Sequence, residues 1–141
     1  MRGYSASQVF SAEEIRLYWR AVALVDIVPD IAGLRCHELA RAVGRVLGLE
    51  HEDGRYGYVD HTWLWTTALD RESPLVQETR IGFPNVLDVY AVGQWPMVRL
   101  VECGDVSLPH MGWSYRPRRE RMDIDEALVD RLVRIMLHEE P

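Results

Sequence analysis

The sequence predicts an α+β domain in which two N-terminal helices pack on an antiparallel sheet and a last helix follows the strands. Three observations carry this reading. Two amphipathic helical repeats with start and stop signals fill the first 48 residues, three aromatic or β-branched runs lie between Arg55 and Cys103, and a third helical repeat follows Asp123. With 141 residues and 48% hydrophobic content, the chain fits a single domain, 1–141, with one sizeable core, and it carries no internal repeat or low-complexity tract.

The first helix is expected over about residues 12 to 27. Ser11 and Glu14 form a capping-box pattern, Ile15, Leu17, Tyr18, Ala21, Val22 and Val25 recur at helical spacing, and Pro29 ends the run. A second helix opens after Gly33, buries Leu39, Ala40, Val43, Val46 and Leu47, and stops at Gly48. "RYGYVDHTWLW", Arg55 to Trp65, reads as one strand. A period of two places Val59, His61, Trp63 and Trp65 on one face and Tyr58, Asp60, Thr62 and Leu64 on the other.

"NVLDVYAV", Asn85 to Val92, and "PMVRLVEC", Pro96 to Cys103, are two further strands, the first apolar on both faces and so interior to the sheet. The polar segment between Trp65 and Asn85 is either a functional loop or a surface excursion. Asp123 and Glu126 are expected to cap the last helix, with Ile124, Ala127, Leu128, Leu132, Ile135 and Met136 facing inward.

Composition excludes several classes of function. A formal charge of -6 argues against a nucleic-acid surface, which needs a concentrated basic face. The one basic cluster, "RPRRER" at Arg116 to Arg121, reads as an anion patch or as a solvated connector interrupted by Pro117. No segment approaches the roughly 20 apolar residues needed to cross a bilayer, and the N-terminus lacks the apolar run of a secretion signal. A cytoplasmic protein is expected, with no membrane partner and with Cys36 and Cys103 kept reduced.

No metal or cofactor is expected. Cys36 and His37 are helical neighbours pointing about 100° apart, a poor geometry for joint ligation, and no C-x-x-C or H-E-x-x-H spacing occurs. His51 falls in a turn-like, solvated stretch. Phosphate-binding and dinucleotide-binding glycine motifs and the G-x-S-x-G elbow are also missing.

The residues that carry chemistry are Cys36, His61 and Asp88, in that order along the chain. Cys36 lies in the first turn of the second helix, where unpaired N–H groups and the helix dipole favour a thiolate. His61 supplies a base on a strand. Asp88 interrupts an otherwise apolar run, so burial there demands a partner: His61, through its Nδ1–H, or Arg99. Each residue also has a purely structural reading, as a small core side chain, a satisfied histidine and an ion-paired aspartate. Trp63, Gln94, Trp95 and His110 are candidates for a cleft beside the three.

"GLRCHELARAVGRVLGL", with Cys36, Ala40 and Gly48-Leu49, "DHTWLW", with His61 and Trp63, and "VLDVYAV", with Asp88, together resemble the transglutaminase-like branch of the papain-type cysteine hydrolases and acyltransferases. The resemblance spans residues 33 to 92. It implies a papain- or transglutaminase-like fold and acyl-enzyme chemistry. Cys36 would attack an amide or ester of a peptide or other partner, His61 would protonate the leaving group, and Asp88 would hold the histidine. The same fold also serves inactive binding or assembly modules, so a non-enzymatic role stands as the alternative.

Overall fold

The computed structural model describes residues 10–68, 85–92, 95–102, 115–117 and 121–139. Among them are helices α1 (Ala12–Asp26), α2 (Cys36–Leu47) and α3 (Glu126–Met136), and strands β1 (His51–Tyr56), β2 (Val59–Trp65), β3 (Val86–Val92), β4 (Trp95–Val101) and β5 (Tyr115–Pro117). The strands form one antiparallel sheet in the order β4-β3-β2-β1-β5. The domain class is thus α+β, with β3 interior as its apolar faces require.

Helix α1 starts where its capping box places it. Glu14 N–H donates to the Ser11 hydroxyl at 3.1 Å, and Ser11 N–H donates to Glu14 Oε1 at 2.9 Å. Glu14 is itself buried, and its other oxygen accepts from the Thr66 hydroxyl and the Asn85 amide. One carboxylate therefore caps the helix and ties it to the end of β2 and the start of β3.

Helix α2 runs from Cys36 to a left-handed Gly48 cap. At its start Glu38, almost fully buried, accepts from the Arg35 guanidinium and from Asp125 N–H. The cap of α3 is Asp125, which accepts from Leu128 N–H, two residues beyond the expected Asp123. Asp123 instead offers its carbonyl to Arg35. Val129, Leu132 and Met136 are buried, Ile124 and Leu128 pack partly buried against the core, and Ala127, expected inward, is exposed. Helix α3 packs on α2, while α1 packs on β4 and α2 on β2 and β3.

The run Arg55 to Trp65 is two strands, where the sequence reading had one. The chain reverses at Gly57-Tyr58, and β1 pairs with β2 from His51↔Leu64 to Tyr56↔Val59. Gly57 has φ 61°, the positive value wanted at the first central position of a two-residue hairpin turn. The reading failed because tyrosines flank the glycine on both sides and keep the strand-like composition unbroken. His51, expected in a turn, opens β1 and is exposed. Part of the basic connector is likewise a strand, β5, paired with β1 through Gly54↔Pro117. A side chain at Gly54 would meet the Arg116 carbonyl at 2.3 Å and the Trp63 ring at 2.5 Å, so only glycine permits that approach.

Alternation along the strands separates two cores. Leu64, Leu87 and Val89 face the helices and join Leu17, Ala21, Leu39, Val43 and Leu132 in an aliphatic cluster. Trp63, Trp65, Val86 and Tyr115 form an aromatic cluster on the other face. Pairing between β2 and β3 is confined to Leu64↔Leu87 and Trp65↔Val86. Beyond those pairs the strands part, and the first turn of α2 meets them there. No helix among the described residues is long and apolar enough to cross a membrane.

Candidate active site

The parting of β2 and β3 brings Cys36, His61 and Asp88 together. Cys36 opens α2 as a free, partly buried thiol. Arg35 forms no side-chain cap, so the helix N–H groups nearest the sulfur are not occupied by one. His61 lies near the start of β2 and Asp88 near the start of β3, on the aromatic face. The His61 Nε2 to Asp88 Oδ1 distance is 2.7 Å. The nitrogen that bonds the aspartate is therefore Nε2 and not the Nδ1 expected from sequence, which leaves Nδ1 as the second nitrogen. Which edge of a ring meets a neighbour depends on the side-chain torsions, and residue spacing carries no trace of them.

Electrostatics make this a thiolate–imidazolium pair. Burial alone pushes the thiol up, but hydrogen bonds with His37 and His61, the charge of His61 and the Thr62 backbone N–H outweigh it and lower the Cys36 pKa to about 6. Burial likewise pushes His61 down, yet its hydrogen bonds to Asp88 and Cys36 and the charges of both raise its pKa to about 9. Between those two values the sulfur is negative and the ring positive.

Asp88 is 1% exposed in its side chain and is held by three donors. Besides His61, the Tyr115 hydroxyl donates to Oδ2 at 2.6 Å, and Arg99 donates to the same oxygen through Nε at 3.2 Å and a terminal nitrogen at 3.1 Å. Burial would raise the carboxyl, but these partners hold it below the usual range. Arg99 is fixed in turn over the rings of Tyr56 and Tyr90, at 5.2 and 5.3 Å from their centroids. Asp88 thus bonds both of the partners that the sequence offers for it, His61 and Arg99.

Of the residues expected around the site, Trp63 is fully buried and stacks against His61 with an interplanar angle of 26°. It backs the imidazole and lines no open space. Gln94 and His110, along with Cys103, lie outside the described residues, as does the side chain of Trp95. A cleft of about 210 Å³ instead flanks the start of α2, lined by Arg35, His37, Asp60, Arg121, Met122 and Asp123. Tyr115 escaped the sequence reading because a three-residue strand has no readable period. Its one signal was an aromatic residue directly before the basic cluster.

Among the described residues no group of three or more His, Cys, Asp and Glu side chains is placed to hold a metal ion. Comparison of the chain with protein-family models, with curated proteins and with solved structures found no match.

Proposed function

We propose that the chain is a cysteine-dependent amide hydrolase or acyltransferase of the transglutaminase-like, papain-type kind, acting in the cytoplasm through Cys36, His61 and Asp88. What supports this reading is a partly buried thiol at a helix start whose ionisation is coupled to His61, with His61 hydrogen-bonded in turn to the buried Asp88. A purely structural network has no need of a thiol whose pKa is lowered to about 6.

In the first step the Cys36 thiolate attacks the carbonyl carbon of an amide or ester. The C–S bond forms as the C–N or C–O bond breaks, and His61 delivers its proton to the leaving group. Water or an amine then attacks the thioester, passes a proton back to His61 and releases the thiolate. The Cys36 backbone N–H is the first oxyanion donor. The flanking cleft carries both arginines and carboxylates, which suits a polar, charged substrate such as a peptide segment better than a lipid acyl chain.

The test is acylation of the full chain by p-nitrophenyl acetate, followed by intact mass and by p-nitrophenol release across pH. Expected is one acetyl adduct on Cys36, formed at a rate that rises through about pH 6 as the thiol ionises. With a peptide amide the rate should fall again through about pH 9, where His61 loses the proton it must donate. A thiol that ionises near 8.5, as in a free cysteine, together with no adduct, would overturn the enzymatic reading and leave a binding or assembly module.

A further inference from the structure

His37, directly after Cys36, has its ring tautomer fixed by the fold. Its Nδ1 lies 2.7 Å from the Thr62 hydroxyl oxygen, Thr62 donates to Asp53 Oδ1 at 2.8 Å, and an Arg41 terminal nitrogen lies 2.5 Å from Asp53 Oδ2. Burial pushes the Asp53 carboxyl up, but its hydrogen bonds with Arg41 and Thr62 and the Arg41 charge hold it below the usual range. As a carboxylate it only accepts, so it takes the single hydroxyl proton of Thr62. The hydroxyl oxygen is left with lone pairs, and His37 Nδ1 gives its hydrogen to them. In the neutral ring the lone pair therefore lies on the other nitrogen, Nε2.

That nitrogen has no hydrogen-bond partner among the described residues. Thr62 is fully buried, whereas His37 is partly exposed and lines the cleft of about 210 Å³ at the start of α2. Of the other side chains in that wall, Arg35, Asp60, Arg121 and Asp123 are charged and Met122 is a thioether, a weak acceptor. His37 thus supplies the strong uncharged acceptor. The same ring stands beside the nucleophile, with Nδ1 3.9 Å from the Cys36 sulfur.

Position and chemistry together define what such an acceptor binds. When a thiolate attacks a main-chain carbonyl, the N–H of that same residue is two bonds away from the carbon under attack, so it arrives close to the sulfur. A side-chain carboxamide presents only CH2 at that point. A neutral acceptor also matches a neutral amide N–H, while a carboxylate in its place would favour a cation.

We propose that His37 is a substrate-binding residue whose Nε2, oriented through Thr62, Asp53 and Arg41, accepts the N–H of the residue whose main-chain carbonyl Cys36 attacks. The substrate class is then a peptide reacting at its main chain. The inference rests on the thiol-nucleophile reading above and adds the donor that the substrate must carry.

The experiment is alkylation of Cys36 by chloromethyl ketones, in which the thiolate displaces chloride as the C–S bond forms and the C–Cl bond breaks. Three are compared on the full-length Cys103→Ser protein by intact mass: those of N-acetylglycine, of N-acetylsarcosine, and of the analogue with CH2 in place of N–H. Each rate is divided by the rate with glutathione. The parent should prefer the N–H compound over the other two about tenfold. His37→Leu should bring the preference close to one, and Thr62→Val, which releases the ring tautomer, should lower it severalfold. His37→Gln, whose amide oxygen reaches the Nε2 position, should retain most of it. The ratio, unlike the rate, is insensitive to changes in the thiol itself.

A parent with no preference, or the same preference in His37→Leu, would overturn the role of His37. Iodoacetamide, which needs no such acceptor, separates this from the parent reading: rapid labelling of Cys36 keeps the thiol nucleophile, and labelling no faster than glutathione removes both.

Discussion

The two faces of the sheet differ in material and in what they contribute. On the helix side, Leu64, Leu87 and Val89 meet α1 and α2 in an aliphatic cluster whose strength comes from buried area. On the other side, Trp63, Trp65, Val86 and Tyr115 form an aromatic cluster, and the buried Asp88 is hydrogen-bonded to His61 and Tyr115. Each face also sends one polar chain toward Cys36: Arg41, Asp53, Thr62 and His37 from the first, and Arg99, Tyr115, Asp88 and His61 from the second. The sulfur lies where β2 and β3 part, so neither face holds it alone. The aliphatic side contributes chiefly buried area, and the aromatic side contributes the buried aspartate and the imidazole whose charge favours the thiolate.

Asp88→Ala tests this division most severely. It leaves Arg99 and His61 without their shared buried counter-charge, and breaking such a pair costs about 3–5 kcal/mol, discounted here because the Arg99 side chain is 42% exposed. Urea unfolding should show that loss, and the Cys36 ionisation midpoint should rise in the same variant. A destabilised protein with the thiol still ionising near pH 6 would show that the aspartate serves packing alone.

Leu132→Ala is the counterpart on the helix side. Leu132 is fully buried between α3 and α2, and such a truncation costs about 2–5 kcal/mol depending on how far the site collapses. Under folding conditions the thiol titration should not move. If it does move, the two faces are coupled through α2 and the division fails.

Tyr115→Phe makes the smallest of the three changes. It removes one of the three donors to Asp88 while keeping the ring that packs against Trp63 at 5.2 Å. A hydrogen bond to a charged group contributes about 1.5–3 kcal/mol, and Arg99 remains on the same oxygen, so a loss near the lower figure is expected in a thermal or urea melt. The Cys36 midpoint should shift only slightly, in the direction of Asp88→Ala. No change in stability would mean that water replaces the phenol without cost.

How much of this was legible in the sequence depends on how far apart the cooperating atoms lie along the chain. The capping box at Ser11 and Glu14, the Gly48 stop and the face alternation of β2 were readable, because each is decided by groups within a few residues. The same locality explains the errors. Gly57 marked a hairpin, but the flanking tyrosines concealed it. Asp123 and Glu126 were the expected caps of the last helix, but the cap is Asp125, whose N–H donates to Glu38 on another helix.

The sequence by itself determined the inventory: a thiol at a helix start, an imidazole and a carboxylate on separate strands, and enough apolar surface to bury the carboxylate. Tertiary structure alone decided who touches whom. Strand register set Arg99 opposite Asp88, the three-residue strand β5 delivered Tyr115, and the splay of β2 from β3 admitted the sulfur. It also gave His37 its partner, since Thr62 lies 25 residues further along. The physical reason is that hydrogen bonds and charge act over a few ångströms of space, while the sequence orders residues only along the chain.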